Sequence, residues 1–109
     1  MSAITTHVLD TSLGRPAAGV TVSLERDGVE LGRGITDNDG RCRTLLVDGV
    51  RPACGLHRLT FDVGAYFASG GRTTFFPTVE IVFEVTAPAE HHHVPLLLSP
   101  FAYSTYRGS

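Results

Sequence analysis

Cysteine, long apolar runs and an excess of either charge are scarce in this sequence of 109 residues. It holds two cysteines, Cys42 and Cys54, and neither belongs to a Cys-x-x-Cys pair, so the spacing gives no zinc knuckle and no dithiol redox motif. They read as buried or incidental thiols. A bridge between them stays open, but two cysteines fall short of the dense framework of small secreted domains, which favours a reducing compartment. The opening Met1-Ser2-Ala3-Ile4-Thr5-Thr6-His7 has no basic stretch followed by an apolar run, and no segment approaches the length of a membrane span. Neither a secretory leader nor a membrane partner is expected, and the chain is expected in the cytoplasm. Arg107-Gly108-Ser109 is not a peroxisomal ending of the Ser-Lys-Leu type. With 18% charged residues and a formal net charge of -2, the chain has no positive surplus with which to grip phosphate backbones, so nucleic acid is not an expected partner.

A sustained helical period is missing too, and this absence fixes the fold class. The length suits one domain, 1–109. Its 12 glycines and 6 prolines punctuate short apolar alternations, the pattern of an all-β chain. Asp27-Gly28 separates Val20-Thr21-Val22-Ser23-Leu24 from Glu30-Leu31-Gly32-Arg33, a hairpin signal because both central residues tolerate positive φ. Asp37-Asn38-Asp39-Gly40 reads as the next turn. Residues 57–63 alternate, with Leu59, Phe61 and Val63 on one face and Arg58, Thr60 and Asp62 on the other; Val79, Ile81, Phe83 and Val85 repeat the pattern. Residues 65–71 between them suit one short helix or a loop. About eight strands result, which predicts a sandwich of two antiparallel sheets.

Of the five histidines, His91, His92 and His93 are consecutive. On a strand His91 and His93 share one face, while His92 joins Val94, Leu96 and Leu98 on the other. Pro95 cannot donate to a ladder, so the strand is at an edge or irregular there. Three readings stand side by side: a solvated strand, a zinc site built from His91, His93 and His7, and metal-free acid/base chemistry by imidazole. His7 lies on an alternating run with Thr5 and Leu9 beside it on one face and Ile4, Thr6 and Val8 on the other; taken alone it reads as a hydrogen-bonded, partly buried histidine. Arg41, just after the Asp39-Gly40 turn, taken alone reads as a solvated cation at a strand start. No spacing argument joins these residues.

A resemblance does join them. Thr5-Thr6-His7-Val8-Leu9-Asp10-Thr11, Asp39-Gly40-Arg41, His93-Val94-Pro95-Leu96-Leu97-Leu98-Ser99-Pro100 and Tyr103-Ser104-Thr105-Tyr106-Arg107-Gly108-Ser109 resemble, in order, the signature segments of the 5-hydroxyisourate hydrolases. Phe75-Phe76-Pro77 and the Gly14-x-Pro16-Ala17 turn also fit. His92 stands where that family often has tyrosine, and its outward alternation from His91 and His93 leaves their face intact. The resemblance implies a transthyretin-like sandwich of two antiparallel four-stranded sheets with one short helix, in a homotetramer (a dimer of dimers) whose sites lie in the channel between dimers. It implies hydrolysis of a small-molecule substrate, 5-hydroxyisourate, with no metal or other cofactor. His7, Arg41, His93 and Ser109 are then the candidate catalytic residues, with Tyr106, Arg107 and Gly108 completing a substrate site. His7 and His93 would share the proton handling, and Arg41 would position the substrate and stabilise an oxyanion. Ser109 would offer a hydroxyl and a terminal carboxylate. The rival from another class is a transthyretin-like binding protein without catalytic activity, whose channel should be lined by apolar and neutral side chains.

Overall fold

A computed structural model describes residues 2–109; Met1 lies outside the described residues. Along the chain run β1 (Ile4–Asp10), β2 (Arg15–Pro16), β3 (Thr21–Arg26), β4 (Val29–Ile35), β5 (Arg41–Cys42), β6 (Gly55–Asp62), α1 (Val63–Ser69), β7 (Val79–Val85), β8 (His92–Ser99) and β9 (Ala102–Thr105). The β3–β4 hairpin turns on Asp27 at φ 52 and Gly28 at φ 77, the two positive values that a tight primed turn demands.

The strands form two layers. One sheet is wholly antiparallel in the order β4-β3-β6-β7. The other runs β2-β1-β8-β9, with β5 also paired to β1. It therefore has five strands rather than four, because β2 and β5 are two-residue strands too short for alternation to reveal. Nor is it purely antiparallel. β1 and β8 pair in parallel, Thr5 opposite His93 and His7 opposite Pro95. The entire other sheet intervenes between them in sequence, so no tight turn forces opposite directions. The β8–β9 hairpin is antiparallel.

The core lies between the sheets. Ile4, Val8, Leu96 and Leu98 come from one side, and Val22, Leu24, Leu59, Phe61, Val79 and Ile81 from the other. Val63 is not the last inward residue of the 57–63 strand but the first of α1, started where the Asp62 carboxylate accepts the Ala65 N–H at 3.3 Å. Its side chain is buried all the same. Cys42 is buried and Cys54 exposed, both as free thiols. Among the described residues no helix is long and apolar enough to cross a membrane.

At the far end of β1, the Asp10 side chain is fully buried and fully engaged. Tyr66 Oη donates to it at 2.7 Å, the Arg72 guanidinium at 2.6 Å and Ser12 Oγ at 2.8 Å. This knot ties β1 to α1 and to the segment after it. Burial works to raise the Asp10 pKa, but the bonds from Arg72, Tyr66, Ser12 and the Leu13 N–H together hold the carboxyl well below the usual range.

Candidate active site

Strand pairing brings the distant residues side by side. β5 lies against β1 with Arg41 opposite His7, and β8 lies on the other side with His93 opposite Thr5. The turn before Arg41 is what docks β5 there. The Asp37 carboxylate accepts the N–H groups of Asp39 at 2.9 Å and Arg41 at 3.0 Å, and the Val8 N–H donates to the Gly40 carbonyl at 2.7 Å. Gly40 has φ 76, and a Cβ there would collide with the Val8 carbonyl oxygen, so only glycine lets the turn press this closely on β1.

Beyond β9 the chain returns to the site. Pro95 ends the regular β8–β9 pairing, as its missing N–H requires; β8 is nonetheless an inner strand, and its pairing with β1 runs through Pro95 without a shift. Pairing resumes once, where the Gly108 N–H donates to the His93 carbonyl at 2.8 Å. A Cβ on Gly108 would lie 2.5 Å from His93 Cδ2, so glycine is again what permits the contact. Tyr106, Gly108 and Ser109 thereby form one wall of a cavity of about 560 Å³ whose other walls are Thr5, Thr6, His7, Arg41, Arg43, His91, His93 and Pro95.

Six of the seven predicted site residues thus meet in one cavity: His7, Arg41, His93, Tyr106, Gly108 and Ser109. Arg107 does not line it. Its guanidinium pairs with Glu90 at 3.0 Å, and it borders a neighbouring cavity of about 240 Å³ with Ile81, Phe83 and His92. His92 turns to the core side with Val94, Leu96 and Leu98, as alternation requires. Its Nδ1 is buried without a partner, and burial first, then the charge of Arg107, pushes its pKa down.

Thr5, Thr6, Arg43, His91 and Pro95 complete the cavity; of these only His91 is a site candidate by sequence, as a zinc ligand with His93 and His7. The signal was available for two of them: Thr5 shares the face of His7 by alternation, and His91 that of His93. Thr5 Oγ1 lies 2.8 Å from His91 Nε2 and 2.8 Å from His93 Nδ1. That contact occupies one nitrogen of His93 and leaves Nε2 for chemistry.

The side-chain charges are one-sided. No Asp or Glu lines the cavity, and Arg41 makes no side-chain ion pair among the described residues. Burial, followed by the positive fields of Arg41, His91 and His7, holds the His93 pKa below its ordinary value, against an opposing hydrogen bond with the Thr5 backbone. A neutral imidazole beside an uncommitted guanidinium can take a proton from water while the cation faces a developing oxyanion. Among the described residues no three His, Cys, Asp or Glu side chains gather as a metal-ligand set.

Residues 4–108 match the HIUase/Transthyretin family. The chain is similar to a 5-hydroxyisourate hydrolase of Mus musculus, 44% identical over 99% of this chain and 96% of that protein. Among solved structures it resembles the 5-hydroxyisourate hydrolase of Klebsiella pneumoniae, with a TM-score of 0.89, 42% identity and coverage of 100% of this chain and 94% of that one. Sea bream transthyretin, solved with thyroxine, shares the fold at a TM-score of 0.85 and 32% identity, covering 97% of this chain and 94% of that one.

Proposed function

The chain belongs to the HIUase/Transthyretin family, and on that premise we propose that it is a hydrolase of 5-hydroxyisourate acting in urate breakdown, as one domain spanning 1–109. The observation that carries this reading is the convergence of His7, Arg41 and His93 on one cavity free of acidic side chains. The product is 2-oxo-4-hydroxy-4-carboxy-5-ureidoimidazoline. Water attacks the ring carbonyl, the new C–O bond forms, the C–N bond of the ring breaks, and the proton lost by water reaches the departing nitrogen. His7 and His93 share that proton handling. Arg41 presents its planar fork to the carbonyl oxygens and stabilises the negative charge formed there. Tyr106, Gly108 and Ser109 shape the slot, the Ser109 hydroxyl within reach of substrate or water; Arg107 acts at the rim. The reaction needs no cofactor, so turnover should survive a chelator. A loss with EDTA that zinc restores would transfer the assignment to a zinc hydrolase.

The family's other known activity, carriage of a small hydrophobic ligand, suits this cavity poorly, since histidine and arginine replace the apolar and neutral lining that such a ligand prefers. We further propose a homotetramer, a dimer of dimers in the cytoplasm. Leu56, Val82, Phe75 and Phe101 are all more than half exposed on the isolated chain, which supports burial against other copies. Sedimentation tests the assembly. The function is tested with freshly generated 5-hydroxyisourate, whose spontaneous decay is the baseline; purified protein that leaves that decay rate unchanged would overturn the reading.

A further inference from the structure

Thr5 carries one hydroxyl proton, yet its oxygen lies at hydrogen-bond distance, 2.8 Å, from a ring nitrogen of each of two histidines. The hydroxyl can donate to only one of them and then accepts from the other; its oxygen has no third partner among the described residues, so an arrangement in which both rings donate to it would leave the hydroxyl proton unbonded. The two rings are therefore not independent. If Thr5 donates to His91 Nε2, His93 must carry its proton on Nδ1 and its Nε2 is bare; if Thr5 donates to His93, the proton of His93 sits on Nε2 and His91 holds one on its own Nε2. The rings stack at 6.5 Å between centroids and 24° between planes, with Thr5 buried and His91 exposed.

We propose that His91, Thr5 and His93 form one proton-sharing unit, in which Thr5 is a positioning residue that sets the bare nitrogen of His93 and His91 is the outer proton store.

In the resting arrangement Thr5 donates to His91 and His93 Nε2 is bare. When Nε2 takes the proton of the attacking water, the Nδ1 proton passes to Thr5 Oγ1 while the Thr5 hydroxyl proton passes to His91 Nε2. His93 is then neutral with its proton on Nε2, Thr5 is unchanged, and the positive charge rests on His91, farther from solvent-poor ground. The reverse passage lets His93 Nε2 release its proton to the departing nitrogen, which His7 orients, and restores the starting arrangement, so protons and charge balance. The surroundings favour this direction. His93 faces Arg41 and Arg43 from β5 and the segment after it, His7 from β1, His91 from its own segment, and Tyr106 and Ser109, with its terminal carboxylate, from the chain beyond β9; no Asp or Glu side chain lines the cavity. A lasting charge on His93 is therefore opposed, as the lowering of its pKa by burial and by Arg41 also indicates.

The kinetic part of this inference rests on the hydrolase reading; the coupling belongs to the resting protein and is read without substrate. Nitrogen-15 NMR of the histidine rings should show His91 and His93 titrating together in the wild type, each curve bending where the other ring gains charge. Thr5→Val, which keeps the shape and removes the hydroxyl, should weaken that coupling to the through-space repulsion of the two rings and give a mixed His93 tautomer. With 5-hydroxyisourate it should lower kcat by roughly tenfold to a hundredfold at nearly constant KM, part of what a proton-transfer group contributes. Thr5→Ser should recover most of the loss. His91→Asn changes an exposed side chain and leaves the buried Thr5 packing intact, so it should lower kcat likewise even if Thr5→Val fails to fold. Wild-type kcat and pH profile in both Thr5→Val and His91→Asn, or unchanged titrations in Thr5→Val, would overturn the unit. A wild type that shows coupled titrations but no turnover would sink the hydrolase reading and leave the coupling standing.

Discussion

The two ends of β1 hold polar groups in opposite ways. At its end, the Asp10 carboxylate is fully buried and takes hydrogen bonds from Tyr66, Arg72, Ser12 and Leu13, so its charge is fixed and its geometry closed. Near its start, Thr5 and His7 open onto a cavity with Arg41, Arg43, His91 and His93, where cationic and titratable groups crowd without an Asp or Glu side chain. A saturated network stabilises the fold and is chemically inert. An under-partnered one is electrostatically costly and is kept ready for a ligand.

The largest expected effect is on turnover. His7→Ala, Arg41→Ala and His93→Ala should each lower kcat/KM by about a hundredfold or more, with little change in melting temperature because all three line an open cavity. Full turnover in any one of them removes that residue from the mechanism. Asp10→Ala should show the reverse. Leaving Arg72 and Tyr66 without their partner should cost about 3 kcal/mol, at the low end for a broken buried pair because Arg72 is 26% exposed. Thermal unfolding should show a fall in Tm on the order of 10 °C, while the molecules still folded keep near-normal kcat. Unchanged Tm with abolished turnover would erase the contrast between the two ends.

Removing residues 106–109 should cost turnover, by roughly tenfold or more, and leave Tm nearly in place, since these residues follow the last strand and, among the described residues, their backbone meets the sheet only at the bridge to His93.

How far the site was legible in the sequence follows from these residues. Alternation was enough to put Thr5 with His7 and His91 with His93, since the period of two is a local property of extended backbone. It could not find the Asp10 knot, whose partners Tyr66 and Arg72 are brought in by α1 and the segment after it. Nor could it turn Arg107 aside, because that depends on a surface pairing with Glu90.

The pH dependences differ at the two ends as well. His93 has a pKa below 6.5, so the neutral imidazole persists as the pH falls through the ordinary histidine range. The acid limb of kcat should have its midpoint below that of a free histidine, and a midpoint above it would place the base elsewhere. For Asp10 the sign is that of a depressed carboxylate: its contribution to stability is complete above the ordinary value of 3.8 and is lost only as the pH falls below it, toward the folded-state value. Acid unfolding of the wild type should steepen there, and Asp10→Asn should flatten that part of the curve. The smallest effect belongs to Glu90, whose pair with Arg107 is exposed on both sides. Glu90→Ala should leave both Tm and kcat/KM unchanged within error; a clear loss of activity would make Arg107 more than a rim residue.

Turns and faces were settled along the chain. Asp27-Gly28 had to bend because both residues admit positive φ, and the 91–98 run had to put His92 with the core because side chains alternate. The resemblance of the motifs added which residues to watch. What joined them was register: Arg41 opposite His7, His93 opposite Thr5 across 88 positions of sequence, and Gly108 folded back on His93. Register between distant strands is chosen by packing the two sheets around one core and by the close approaches that Gly40 and Gly108 allow. Local conformation carries no record of that choice, so the parallel β1–β8 pair and the threonine shared by two histidines came only with the tertiary structure.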